Sequence, residues 1–250
     1  MIEVRDLHKS FGGVHAVRGV SFTARDGEVT GIIGPNGAGK TTILRVIYTV
    51  LRPDSGTALV DGIDAALDRR AVQRRIGVLP DTRGLYPRLT AREHVRYFGA
   101  LHGLDGATLA RRAEELFNVL DMGDFVDRRT RGFSRGQQLK VALARALVHE
   151  PHNVVLDEPT NGLDVTTSRA VRTLVHGFKA EGRCIVLSSH VMQEVAALAD
   201  RIVVIADGRV ALQGTLEELR RATGVTDLEE VFMAATTRRH RPPSLVSGEA

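Results

Sequence analysis

The segment of residues 34–41 constrains the fold of this chain more than any other feature of its sequence. It reads Gly-Pro-Asn-Gly-Ala-Gly-Lys-Thr and fits the pattern G-x-x-x-x-G-K-S/T at every fixed position. The apolar run 28–33 before it reads as a strand, and a helical pattern begins at Thr42. A glycine-rich turn between a strand and a helix can surround a phosphate with backbone N–H groups at the positive end of the helix dipole. The segment therefore predicts a nucleoside triphosphate site in an α/β fold.

Several residues of this loop have an expected role in holding the triphosphate. The Lys40 ammonium can reach the β- and γ-phosphates, and the Thr41 hydroxyl can bind Mg²⁺. The alternative is a plain glycine turn that joins a strand to a helix, but a chance match at every fixed position is rare. The expected ATP contacts in this segment are Gly34, Pro35, Asn36, Gly37, Ala38, Gly39, Lys40, Thr41 and Thr42.

Composition places the chain among globular proteins and narrows its surroundings. With 250 residues, of which 43% are hydrophobic and 26% charged, it can build one sizeable core with a smaller inserted lobe. We expect a cytoplasmic protein, because the chain lacks a long apolar run and a signal-like start, and Cys184 is its single cysteine. The net charge of +4 comes with scattered arginine pairs and no interleaved aromatic residues, so no nucleic-acid partner is expected.

The order of predicted elements indicates an α/β core interrupted by a helical segment. Two alternating strands joined by a turn at Gly12-Gly13 read as an antiparallel layer. Residues 90–150 are almost wholly helical, and the alternation of strands and helices that follows indicates a covered parallel sheet. The folded domain should span residues 1–235, and residues 236–250 read as a disordered tail. Strands are predicted at 2–7, 17–23, 28–33, 57–60, 75–79, 153–156, 184–188 and 201–206, and helices at 42–52, 90–101, 108–120, 134–149, 168–181, 191–198, from 215, and at 227–235.

Two adjacent carboxylates follow the buried strand 153–156. Asp157 fits a position that holds Mg²⁺ through water, and Glu158 fits a general base for an attacking water. Acidic pairs after strands are common, but this pair follows a phosphate loop in the same sheet. Because backbone geometry relaxes where a strand ends, we expect both side chains to line one site.

A further helix start with two possible meanings is predicted at Ser134. Ser134 and Gln137 have the S-x-x-Q spacing of a capping box, which indicates an ordinary helix start. The same turn can also bind an anion, because Ser134 and Gly136 leave free N–H groups and the helix dipole facing outward. The residues alone leave both interpretations open.

These motifs stand in the order and spacing of an ATP-binding cassette (ABC) ATPase, which the chain resembles over residues 1–235. Besides the phosphate loop, the matching motifs are Ser134-Arg-Gly-Gln137, Leu156-Asp-Glu-Pro-Thr160, Asn161-Gly-Leu-Asp164 and Ser188-Ser-His190. The resemblance implies a P-loop NTPase (RecA-like) core with an antiparallel β layer and an inserted α-helical subdomain at about 90–150. The segments 77–90 and 133–146 are similar to the NatA-like sodium-extrusion subgroup of ABC-2 type exporters.

The resemblance implies a role for each matched residue in hydrolysis. Glu158, His190 and Lys40 would be catalytic, with His190 contacting the γ-phosphate and orienting the attacking water. Phe11 would stack on adenine, and a core phenylalanine is the alternative. The signature residues, which would contact the γ-phosphate bound by another subunit, are Ser134, Arg135, Gly136 and Gln137.

Two departures from the family pattern accompany these matches. Asp81 occupies the Q-loop position, where a glutamine is usual, and Arg135 occupies a signature position where a second glycine is usual. Both changes are similar to the NatA-like subgroup. Asp164 matches the D-loop acid at the dimer seam, and Thr41 and Asp157 match the Mg²⁺ ligands.

The resemblance also implies partners and a biological role. Because the chain holds one phosphate loop and one signature, two copies would be needed to sandwich two ATP molecules. The dimer would hydrolyse ATP on the inner face of the cell membrane and power export through a separate permease, received near residues 81–89, with Leu85 and Tyr86 as candidate contacts. One alternative is a soluble ABC-type ATPase acting on ribosomes or DNA, although a second cassette and sustained heptads are lacking. Another is an inactive regulatory cassette, which the presence of Glu158 and His190 opposes.

Overall fold

A computed structural model of the chain describes residues 1–225 together with Asp227, Glu230, Phe232 and Met233. The predicted tail at 236–250 and most of the predicted helix at 227–235 lie outside the described residues. The strands are β1 (Ile2–Phe11), β2 (Val14–Ala24), β3 (Val29–Ile33), β4 (Ser55–Val60), β5 (Ile63–Asp64), β6 (Ile76–Leu79), β7 (Asn153–Asp157), β8 (Cys184–Ser189), β9 (Arg201–Ala206) and β10 (Arg209–Gly214). The helices are α1 (Lys40–Ile47), α2 (Arg69–Gln73), α3 (Ala91–Leu101), α4 (Gly106–Val119), α5 (Arg135–Leu147), α6 (Val165–Ala180), α7 (Met192–Leu198) and α8 (Leu216–Thr223).

A six-stranded sheet forms the centre of the fold, in the order β10-β9-β3-β8-β7-β6. Its strands pair in parallel except for β10, which runs antiparallel to β9. Every residue of β3, β7 and β8 is buried. Strands covered on both faces read as continuous apolar runs, which is why these three were predictable from the sequence. Their carboxyl ends meet at one edge of the sheet, where the chain leaves towards the phosphate loop and the acidic pair.

The second sheet is antiparallel and confirms the predicted β layer. Its four strands lie in the order β2-β1-β4-β5. Buried residues of β1 and β2 pack with α1 and with one face of the parallel sheet in a common core, which includes Leu7, Ile32, Ile43 and Val186. The start of α1, which carries Lys40 and Thr41, is thus held between the two sheets.

Helices α3, α4 and α5 follow one another between β6 and β7, within the segment predicted to be helical. The predicted capping boxes are present: Thr90 with Glu93 begins α3, and Ser134 with Gln137 begins α5. A second apolar core joins these helices to the other face of the parallel sheet and includes Phe117, Leu139 and Leu156. This packing orients the start of α5 relative to the core.

The sequence missed two elements, and one helix begins earlier than predicted. Strand β10 follows a tight turn at Asp207-Gly208, where both residues have positive φ, and Asp-Gly is a typical hairpin sequence. Helix α2 has only five residues and starts at the cap Asp68. Helix α6 begins at Val165 instead of residue 168, because the Asp164 side chain accepts hydrogen bonds from the Thr167 N–H and hydroxyl.

Two expectations from composition can be compared with the fold. Cys184 is fully buried, and burial raises the pKa of its thiol to about 12, so it is an inert packing residue as predicted. Across the residues that the structure describes, no helix combines the length and the apolar character required to cross a bilayer.

Candidate ATP site

The phosphate loop lies between β3 and α1, as the sequence predicts. Gly39 caps α1 with φ 106°, a left-handed conformation that favours glycine. Its close packing also demands a small residue, because a Cβ at Gly39 would overlap the carbonyl oxygen of Ala16. The backbone N–H groups in the first turn of α1 carry the positive end of the helix dipole, so the loop can bind an anion.

The Lys40 side chain is buried inside its own loop. Its ammonium donates hydrogen bonds to the carbonyl oxygens of Gly34 at 2.8 Å and Pro35 at 3.3 Å. It also lies 3.6 Å from Glu158 Oε1, and both side chains are largely buried. The loop thus holds one cation at the end of the strand that carries the acidic pair.

Asp157 is buried at the end of β7 and has one oxygen without a partner. Its Oδ1 accepts hydrogen bonds from Ser188 Oγ at 2.6 Å and from Thr41 Oγ1 at 3.3 Å. Among the described residues nothing pairs with Oδ2, although this atom is buried. Burial, assisted by the nearby Asp81 and Glu158 carboxylates, raises the pKa of Asp157. A buried carboxylate in this state is suited to bind a cation, which would favour its charged form.

Glu158 turns into the cleft beside Asp157 because its backbone leaves the strand conformation. It has φ 50°, which is uncommon for a residue with a side chain and is found at functional sites. Its backbone N–H donates to Ser188 Oγ at 3.1 Å, and its Oε2 lies 2.8 Å from His190 Nδ1. The carboxylate therefore lies between the Lys40 ammonium and the His190 ring.

A cleft of about 470 Å³ brings most of these groups together. It is lined by residues 36–42 of the loop and by Asp81, Glu158 and His190, all of which were predicted site residues. Two further lining residues, Ala16 and Asn161, were missed as contacts. Ala16 is contributed by β2, far away in sequence, and no local pattern marks it. Asn161 begins the quoted D-loop motif, which was the available signal.

The predicted signature is at the start of α5 and, among the described residues, does not line this cleft. Ser134 Oγ accepts from the Gln137 N–H, and the Gln137 side chain accepts from the Ser134 N–H. The signature therefore forms an ordinary capping box. Its remaining N–H groups face away from the phosphate loop of the same chain.

Comparison with known proteins identifies the family to which this arrangement belongs. The family model described as "ABC transporter" matches residues 17–161. The chain belongs to the ABC transporter family. The NatA ATP-binding protein of Bacillus subtilis (strain 168) is 44% identical, over 95% of this chain and 99% of the relative. The daunorubicin/doxorubicin resistance ATP-binding protein DrrA of Streptomyces peucetius is 38% identical, over 89% of this chain and 68% of the relative.

Solved ABC structures have the same fold. An ATP-binding subunit of an ABC transporter superimposes with a TM-score of 0.87 at 30% identity, covering 94% of this chain and 99% of that one. A dimeric ABC cassette in a post-hydrolysis state, bound to ADP and phosphate, has a TM-score of 0.78 at 27% identity, covering 86% and 98%. The predicted fold class is confirmed, and the chain is an ATP-hydrolysing transport subunit of the NatA-like subgroup. The alternative of a machine acting on ribosomes or DNA is not supported.

Phe11 of this ABC ATPase is on the surface, at the end of β1. Its side chain is 46% exposed, so the alternative of a core phenylalanine is wrong. The Lys9 ammonium lies over its ring, 5.6 Å from the centroid. Phe11 is not among the residues that line the described cleft. An exposed ring is available for stacking, and its contact with adenine stays a prediction.

Asp164 and Asp81 have different surroundings. Asp164 caps α6, and hydrogen bonds from the Thr167 backbone and side chain lower its pKa. It thus stabilises the helix that follows the D-loop, and its position at a dimer seam stays a prediction. Asp81 lines the ATP cleft and also borders a groove on its other side. The Q-loop position of this ABC ATPase therefore borders both cavities.

That groove lies between the core and the helical segment and has a volume of about 920 Å³. Arg70 and Arg74 line one side, and Phe98 and Leu101 line the other. At its base the rings of His102 and His149 stack with centroids 3.6 Å apart. Tyr86 is on the neighbouring loop, half exposed and stacked on His94.

Proposed function

We propose that this chain is the motor of an exporter, in which two copies close on ATP and drive a separate membrane permease. The observation that carries the proposal is the cluster of Lys40, Glu158 and His190 in the cleft of the phosphate loop. A loop that only binds nucleotide needs neither a carboxylate nor a histidine at this position. Together they supply a base and a group that orients it, which an inactive regulatory cassette lacks.

Each residue of the cluster has a distinct task in hydrolysis. Glu158 polarises the water that attacks the γ-phosphorus, and His190 holds its carboxylate through the 2.8 Å contact. Lys40 exchanges its bonds with the loop carbonyls for bonds with phosphate oxygens. Phe11 supports the adenine ring by stacking.

Mg²⁺ is the expected cofactor, and the donor atoms in the structure fit it. The Thr41 hydroxyl and the unpaired Asp157 Oδ2 are hard oxygen donors of the kind that Mg²⁺ prefers. Asp81 borders the same cleft and adds negative charge at its edge. When bound, the ion neutralises charge on the β- and γ-phosphates.

A second copy of the chain would complete the site. The start of α5, with Ser134 and Gly136, offers an anion-binding end that faces away from its own phosphate loop. In a head-to-tail dimer each signature would meet the γ-phosphate on the other subunit, with Asp164 at the seam. Support comes from the solved relatives described as dimeric ABC transporter cassettes.

The names of the relatives favour export. They include a sodium-extrusion-type NatA, daunorubicin/doxorubicin resistance proteins and a Nod factor export ATP-binding protein. Sodium ions, drugs or lipid-linked sugars are therefore candidate cargoes. The chain would work in the cytoplasm, on the inner face of the membrane, with its groove and the Tyr86 loop facing the permease.

The decisive experiment replaces the general base. Glu158→Gln keeps the shape of the side chain but removes its basicity, so ATP should trap a stable dimer with turnover lowered by about 10²-fold or more. Dimer formation is measured by light scattering after gel filtration with ATP, and turnover by phosphate release. Lys40→Ala is the matched control, because it should lose ATP binding and dimerisation together. Full turnover in Glu158→Gln would contradict the assignment.

A second experiment tests the permease contact. Tyr86→Asp places a charge on the exposed ring surface, so it should weaken co-purification with a co-expressed permease while leaving ATP affinity intact. Val119→Asp on α4 is a matched control, because Val119 is 68% exposed and lies away from the groove. Unchanged permease retention by Tyr86→Asp would rule out this surface.

A further inference from the structure

Arg135 occupies the first helical position of α5, within the signature, and packs against the D-loop of its own chain. Gly162 has φ 70°, and a Cβ there would overlap the Arg135 guanidinium. The side chain is exposed and borders a cavity of about 400 Å³ whose lining also includes Asp81 and Asn161. Both of these residues also line the ATP cleft, so Arg135 is one layer of side chains away from it.

The charge of Arg135 is unfavourable where it stands. The start of a helix carries a partial positive charge, which disfavours a cation, and the first turn of α5 contains no acidic residue. Among the described residues, no carboxylate or other acceptor pairs with its guanidinium within ion-pair or hydrogen-bond distance. Arg112 and Arg183, by comparison, each have a carboxylate at 2.6–2.7 Å. An anion brought to this turn would therefore meet an unpaired guanidinium as well as free N–H groups.

We propose that Arg135 is a further catalytic residue, which binds the γ-phosphate held by the partner's loop and stabilises the charge that develops on it. This inference rests on the proposed dimer, in which the signature turn faces the other subunit's ATP. The guanidinium would turn from Gly162 to the phosphate as the dimer closes. Glycine at this position could offer only a backbone N–H, whereas arginine adds a charged donor of fixed geometry.

The effect on turnover tests the charge. Arg135→Gln keeps the length of the side chain, removes its charge, and should lower kcat about tenfold, the loss expected for one charge-assisted hydrogen bond in the transition state. Arg135→Lys should retain most of the activity. ATP affinity of the dilute monomer should stay within about twofold, because the monomer binds ATP through its own loop. Arg131→Gln, an exposed arginine four residues earlier, is the matched control and should be silent.

Mixing experiments decide whether the arginine acts across the interface. A heterodimer of Arg135→Gln and Lys40→Ala chains contains one intact composite site, formed by the loop of the first chain and the signature of the second. The mixture should therefore exceed the summed activity of the two variants and approach that of wild type mixed with Lys40→Ala. If Arg135 acted within its own chain, or only held the D-loop, the mixture would equal the sum.

The outcomes separate this inference from the proposed function. If Glu158→Gln forms no ATP-dependent dimer, the proposed function fails with it. If the dimer forms but Arg135→Gln keeps kcat within about twofold, or the mixture shows no gain, the role of Arg135 alone is refuted. Arg135→Ala provides the same comparison if the glutamine variant folds poorly.

Discussion

The stacked histidines at the base of the groove should make the fold sensitive to acid. Burial lowers the pKa of His149 from 6.5 to about 4, and it also lowers the pKa of His102, which lies face to face with it. His149 Nε2 lies 3.2 Å from the carbonyl oxygen of Ile76, so the neutral ring links α5 to β6. A proton on His149 would place a buried cation against a second imidazole, and the folded state therefore resists protonation.

The size of the effect follows from the difference between the folded and unfolded pKa values. Above about pH 6.5 both states hold the neutral ring, and the stability is fully present. Between 6.5 and about 4 the unfolded state alone binds the proton, so stability is lost progressively as the pH falls. The full difference corresponds to about 3 kcal/mol, of which about 2 kcal/mol is lost by about pH 5. For a domain of this size, that loss lowers the Tm by about 4–8 °C.

The assay compares the Tm of wild type and His149→Phe at about pH 7.5 and about pH 5. Phenylalanine keeps an aromatic ring against His102 but cannot bind a proton, so the variant should lose about 4–8 °C less than wild type over this interval. His176→Phe, at an exposed position on α6, is the control and should lose as much as wild type. An equal loss in wild type and His149→Phe would refute the reasoning.

Two further substitutions test the site and its scaffold. Asp157→Asn should abolish Mg²⁺-dependent hydrolysis yet raise the Tm of the nucleotide-free protein at neutral pH, because burial raises the pKa of Asp157 and its charge destabilises the fold increasingly as pH rises above the ordinary aspartate value; a lower Tm would contradict this. Gly31→Ala should cost about 1–3 kcal/mol in denaturant unfolding, since its Cβ would overlap Val195 on α7. Gly177→Ala on exposed α6, with open space around its Cβ, should be neutral or stabilising by up to about 1 kcal/mol.

Local patterns made much of this fold predictable. The phosphate loop, the buried strands β3, β7 and β8, and the capping boxes at Thr90 and Ser134 each depend on residues close together in sequence. Their physical causes are local as well: glycine permits the turn, burial on both faces selects apolar runs, and a side-chain oxygen satisfies the first helical N–H groups. Short elements such as α2 and β10 carry too few residues for a periodic pattern, and they were missed.

The details of the site depend on contacts between distant segments. That Asp157 Oδ2 is buried without a partner follows from the packing of β7 beside β8 and α1. That Ala16 lines the cleft follows from the antiparallel layer folding over the loop. The contact of Arg135 with Gly162 joins two motifs 27 positions apart, each of which was recognised separately. No spacing rule in the sequence marks such pairs.

By itself the sequence determined that the chain binds a nucleoside triphosphate, that Glu158 and His190 belong to the same reaction, and that one chain holds half of each site. Only the tertiary structure decided how the charges are arranged: Lys40 beside Glu158, Asp157 with a free oxygen, and Arg135 unpaired at the start of α5. The reason is physical. Motifs record which residues the backbone chemistry requires locally, whereas burial and pairing of charge are set by the segments that pack around them.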